Sequence, residues 1–407
     1  MLHDFLKTRA ATGPMTTRRE AAATRFMMQG WPKPTDEAWR FTNINKLSQR
    51  DLMPVTELNA AETADLPEGA RLVIVNGVMD DAQSTALPEG MTLVSLADDD
   101  SLAAMLDDPR VTGHAISNMT LAVMSSGFGI KVSGAVDTPL HLVFINDGDD
   151  ASAHAVGVIS LEDGASATVF EHHSGSGQGL SAPLLAIHVG ARASLNHGRV
   201  QVEDDARHHL AQTVMNIDTE GRYQALSVQS GGQLSRAETH IALVGEDIDM
   251  GMTTIYLAHD DQVMDVTSLV DHRVPNCTSR QIVRGVLDDK AKGVFQGKVI
   301  VARDAQKTDG NQMSRALLLS RKCEADAKPE LEIYADDVAC SHGATVGEID
   351  DNHLFYLTSR GIPKAEARQM LIEAFLADVL DEVEDEALVG FVEGAVTTWL
   401  EGMKAKG

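Results

Sequence analysis

VMDVTSLV at 263–270, QIVRGVL at 281–287 and VFQGKVIV at 294–301 are three short apolar runs, separated by DHRVPNCTSR and DDKAKG. Runs of this length are strand-sized, and their Val and Ile pack well on a pleated surface. Asp, Asn, Gly and Pro in the spacers supply turns. Outward from this stretch the same alternation covers 111–346, with further runs at 140–145, 165–171, 193–200 and 222–228. The pattern predicts an all-β body. It leaves open a sandwich, a barrel or a parallel β-solenoid, because the period is irregular and no clean repeat is visible. The stretch 172–183, with Gly175, Gly177 and Gly179, reads as a loop excursion from that body.

Both ends turn helical. Thr17 and Glu20 form a capping-box pair ahead of 21–28, and Pro32 and Pro34 stop that helix. Residues 37–110 mix helix and strand, with a run at 72–75 ended by Asn76-Gly77. Beyond Asp350, Pro363 suits the first turn of a helix whose Leu371, Phe375 and Val379 share one face. A second helix places Leu388, Val392, Ala395 and Trp399 on one stripe. The expected organisation is an N-terminal helical or mixed unit at 1–110, a β core at 111–349 and a C-terminal helical unit at 350–407. The two apolar stripes of that last unit need cover, from each other or from another protein.

Composition narrows the function. Asp and Glu outnumber Lys and Arg by 60 to 34, for a net charge of -26, a field that repels nucleic acid and anionic lipid. No run approaches the ~20 apolar residues of a membrane span. Residues 1–28 lack an apolar secretory core. Arg9, Arg18, Arg19 and Arg25 hint at a transit peptide, against which Asp4 and Glu20 count. Cys277, Cys323 and Cys340 are too sparse for a disulfide framework, so a reducing cytoplasm is expected.

Few motifs carry chemistry. GVFQGK at 293–298 is one residue short of a phosphate-cradling loop and is followed by Val299, so ATP chemistry would have to come from another chain. Asp336-Asp337 diverge on a strand and make no acid/base pair. His172-His173 and His208-His209 fail as metal pairs for the same reason, and are expected at the surface. Cys340-Ser341-His342 differs: residues two apart on a strand share a face, so the thiol and the imidazole stand together. The pair is a buried Cys beside a structural His, or half a metal site finished by another subunit.

Larger blocks give a family likeness. FQGKVIV from Phe295, AQKTDGNQ from Ala305, LLLS from Leu317, PELEI from Pro329, ADDVACSHGATVG from Ala335 and LFYLTSRGI from Leu354 resemble the core of the SufB/SufD family. EAWRFTN at 37–43 looks like its N-terminal signature. The Cys-Ser-His-Gly-Ala-Thr form resembles the SufD branch, since SufB-like chains usually carry an acidic residue, His, Glu, Ala and Thr there. Met313-Ser-Arg-Ala316 departs from the Asn-rich residues common at that point.

The resemblance implies a mainly β fold, a right-handed parallel β-helix core flanked by N-terminal and C-terminal helical domains. It implies a non-enzymatic scaffold of iron-sulfur cluster assembly in a complex with SufB and the ATPase SufC, which binds the ATP. SufC would dock on the C-terminal helices bearing Leu371, Phe375, Val379, Leu388, Val392 and Trp399. A transient cluster would form at the SufB interface beside His342 and Cys340, with no permanently bound cofactor. An exposed β-edge also leaves a homodimer open. The rival readings are a carbohydrate-active β-helix enzyme, which needs convergent carboxylates, and a stand-alone metalloprotein using several of the 15 histidines.

Overall fold

The computed structural model describes residues 15–58, 66–125 and 127–406. Asp4 and Arg9 of the transit-peptide argument lie outside them. The chain is 42% strand against 23% helix and winds into a β-solenoid of about eight turns, with helices at both ends.

Successive strands alternate between two parallel sheets. The first runs from Gly127–Val132 through Val156–Leu161, Leu184–Val189, His208–Ile217, Leu234–Leu243, Val263–His272 and Lys292–Val301 to Glu324–Ile333. The second runs from Ala70–Val75 through Leu140–Ile145, Ser166–Ser174, Ser194–Gln201, Arg222–Gln229, Asp249–Ala258, Thr278–Leu287 and Asp309–Leu318 to Ala339–Glu348. His208 pairs with Leu234, Leu234 with Val263 and Lys292 with Glu324, spacings of 26, 29 and 32 residues. That irregularity hides the repeat from sequence periodicity. The coils turn at left-handed residues such as Asp247, Asp260, Asn276 and Asp289, where short polar side chains tolerate positive φ best.

Between the sheets lies an apolar core that includes Leu140, Ile159, Val169, Leu195, Ile241, Val270 and Val299. Each sheet also has a covered outer face. On the first, Phe26 of α1 (Thr16–Gln29), Leu121 of α2 (Ala115–Val123) and Leu47 of the helical turn Asn45–Ser48 pack with Leu184, Leu210 and Val214. After the solenoid come α3 (Asp351–Ser359), α4 (Lys364–Leu380) and α5 (Glu386–Lys406). Helices α4 and α5 lie on the second sheet, merging Ile372, Leu376, Val379, Leu388 and Val392 with Phe170, Leu226, Val228, Ile255 and Val286. The apolar stripes are thus covered by the chain's own sheet as well as by each other. Strands covered on both faces read as nearly continuous apolar runs.

The last coil has no such cover. Glu324–Ile333 and Ala339–Glu348 contain no buried residue, and each is the end strand of its sheet.

Candidate functional site

Ala339–Glu348 pairs with Asp309–Leu318, setting Cys340 beside Gly310 and His342 beside Gln312. One coil further in, Gly310 and Gln312 stand beside Ser279 and Gln281, both fully buried. This column faces the interior, so Cys340 and His342 look into the open end of the solenoid. Cys340 is half-buried against the core. Its thiol lies where Gly310 leaves room: a Cβ there would sit 3.3 Å from Sγ. Burial pushes that thiol up from its ordinary pKa, favouring the protonated form. His342 is exposed because no further coil covers it. Ser341 points the other way, and its hydroxyl donates to Asn311 Oδ1 at 2.5 Å.

The helix residues stand elsewhere. Val379, Leu388, Val392 and Trp399 are buried against the second sheet, and Leu371 and Phe375 are half-buried. The Phe375 ring lies 5.6 Å from the Arg284 guanidinium of that sheet. The stripe expected to await a partner is therefore occupied. Exposed apolar side chains lie on α3 and at the start of α4: Phe355 at 73%, Tyr356 at 53% and Met370 at 41%.

The paired histidines need a correction. His173 and His209 are fully buried rather than at the surface. Alternation does send His172 and His173 to opposite faces. The inward member meets carboxylates: His173 Nε2 is 2.9 Å and His197 Nε2 2.7 Å from Glu171, and His209 Nδ1 is 2.7 Å from Glu203. His173 stacks on Phe144 with ring centroids 4.5 Å apart, and desolvation pushes its pKa down to about 4. Burial alone would raise Glu171, but hydrogen bonds from His173 and His197 outweigh it and hold the carboxylate well below its ordinary range. Glu171 and His173 stand two apart on Ser166–Ser174, a spacing that signals this pair in sequence, whereas His197 comes from the neighbouring strand Ser194–Gln201 and carries no such signal.

The segment 37–43 has a visible task on the outer face of the first sheet. Thr42 donates to Asp265, the Arg236 guanidinium lies 4.3 Å from the Trp39 ring centroid, Gln296 Nε2 donates to the Ala38 carbonyl at 3.1 Å, and Lys328 meets Glu37 at 2.8 Å. Asp265, Arg236, Gln296 and Lys328 belong to four neighbouring strands of that sheet. EAWRFTN is thus a strap across consecutive coils.

The architecture is that of a helix-flanked parallel β-solenoid whose last coil carries its candidate chemistry. The family described as SUF system FeS cluster assembly, SufBD core domain, matches residues 143–375. The iron-sulfur cluster assembly protein SufD of Escherichia coli (strain K12) is 32% identical, over 91% of each chain. A SufBD family protein of Synechocystis is 28% identical over 94% of this chain and 90% of its own. SufD of Bacillus subtilis is 29% identical over 70% of this chain and 66% of its own. The chain belongs to the SufBD family of iron-sulfur cluster assembly proteins.

Proposed function

We propose that the chain acts as a SufD-type scaffold: its last coil pairs with SufB, and a nascent iron-sulfur cluster forms at that junction as cargo. The observation that carries this reading is an asymmetry between the two open edges. Glu324–Ile333 carries Lys328, Pro329, Glu330 and Glu332, the charges and proline that discourage strand addition. Ala339–Glu348 carries no charged residue before Glu348, and holds Cys340 and His342. One edge is guarded and the other is open to a partner strand. In this reading His342 and Cys340 supply two ligands and SufB the remainder. Without SufB the same edge pairs with a second copy.

SufC docks on the C-terminal helices and brings the ATP, while this chain works in the cytoplasm with no ATPase activity or resident cofactor. Since the buried stripe is taken, the contact falls on Leu371, Phe375 and the exposed Phe355, Tyr356 and Met370. Phe355→Asp should weaken SufC capture at least tenfold and leave the circular dichroism spectrum unchanged.

The deciding experiment is His342→Ala in the complex co-purified with SufB and SufC, with anaerobic iron and sulfide analysis. Association should persist, because one truncated side chain scarcely registers in an interface of ordinary size. Cluster content should fall sharply. Ser341→Ala, on the opposite face, is the matched control. Normal cluster yield in the His342→Ala complex would remove the ligand role.

A further inference from the structure

We infer that His114, Glu238 and His240 form a binding site for one divalent transition-metal ion, of the zinc or iron(II) kind, between the start of α2 and the outer face of the first sheet. His114 is the residue that precedes α2, and Glu238 and His240 stand two apart on Leu234–Leu243. The alternation that sends Ile241 and Leu243 into the core turns Glu238 and His240 outward, toward His114. Glu238 Oε1 is 3.3 Å from His114 Nδ1 and 2.9 Å from His240 Nε2, and three donor atoms of the group lie within 4.8 Å of one another. Ligands at ~2.1 Å from a shared ion stand roughly 2.9–3.4 Å apart at octahedral or tetrahedral angles. Two of the three edges already have that length.

The surroundings are built in the same sense. Arg236 holds the other Glu238 oxygen at 2.9 Å and reaches Asp265 at 2.5 Å, so the carboxylate is fixed from behind before any ion arrives. A cavity of about 30 Å³ lined by Trp39, Gln212 and Arg236 adjoins two of the three donors, His114 and Glu238, room for about one water as a further ligand. The His114 side chain is 30% exposed and gives an entry path. Two imidazoles with one carboxylate suit zinc or iron(II), whereas calcium and magnesium favour all-oxygen sets. An ion here would join residues far apart in sequence and fasten the start of α2 to the sheet that the 37–43 strap already crosses.

The test uses the full chain carrying His342→Ala, so that the edge strand contributes no imidazole, stripped of metal by a chelator and titrated with Co²⁺. The expected result is one equivalent bound with visible d–d absorption, displaced by Zn²⁺, and a thermal midpoint raised by Zn²⁺. Adding His114→Ala or His240→Ala should lower Co²⁺ affinity at least tenfold and abolish the Zn²⁺ shift, while His172→Ala changes neither. His114→Ala removes a partly exposed ring and leaves the solenoid strands intact, so it reads the site even if His240→Ala misfolds. Absence of d–d bands in the parent, or bands that survive His114→Ala unchanged, would overturn the site.

Discussion

Leu234–Leu243 in the middle of the solenoid and Ala339–Glu348 at its end are strands of equal length in the same kind of parallel ladder. The first is almost wholly buried and the second has no buried residue. Backbone geometry does not distinguish them; neighbours do. A middle strand has a coil on each side and helices over its outer face, while the end strand has a coil on one side and little above it. Burial in a solenoid is conferred by stacking, so an uncapped end exposes backbone donors and acceptors along with whatever side chains it carries.

The largest effect should come from uncovering the middle coils. Deleting 350–407 strips α4 and α5 from Phe170, Leu226, Val228, Ile255 and Val286, leaving an apolar patch of the kind that drives aggregation. Loss of soluble protein, or strong binding of a hydrophobic dye by what remains, is the expected readout. A soluble, dye-silent truncation would mean that the helices add little to the fold. Next, Leu195→Ala, fully buried between the sheets, should cost ~2–5 kcal/mol in chemical denaturation. Val346→Ala on the end strand, 48% exposed, should stay within about 0.5 kcal/mol. Equal costs would erase the distinction between the two regions.

Acid should separate them too. Burial pushes His154 down to about 3 and His272 down to about 4, against ~6.5 in the unfolded chain. As pH falls below about 6.5 the unfolded state takes up protons that the folded state refuses, so stability is full above that value and declines toward pH 4. At pH 5 each such histidine should cost about 2 kcal/mol. Thermal melts at pH 7, 6 and 5 check the slope, which His272→Gln should reduce. The smallest thermodynamic change belongs to the edge: Val346→Lys should leave the melting temperature alone and suppress self-association in sedimentation. Unaltered association would mean that the end strand is not the contact.

Much of this was legible in residues. The runs at 263–301 gave the strands, and alternation put Cys340 and His342 on one face with Ser341 opposite, as the Ser341 bond to Asn311 bears out. Coil pairing was not legible, because spacings of 26 and 32 residues carry no common period; the family likeness supplied the solenoid. The inward histidines differ from the surface expectation although their partners stand nearby in sequence, Glu171 two residues before His173 and Glu203 six before His209. The alternation that groups Cys340 with His342 also groups Glu171 with His173, but only burial on the inner face makes the carboxylate necessary. The stripe of α4 and α5 was read correctly as apolar, but amphipathicity says that a face needs cover without saying which surface provides it.

The uneven coil spacing bears on how such a chain tolerates insertion and deletion. Each ladder starts afresh after its turn, so a residue gained between Ser320 and Glu324 lengthens one corner and leaves the rungs above and below in register. The same residue gained inside Leu234–Leu243 would invert every side chain beyond it, sending Ile241 and Leu243 out and His240 into the core. Length drift should therefore accumulate at the corners and be purged from the rungs, so that related chains differ in contour length while their stacked strands stay superimposable.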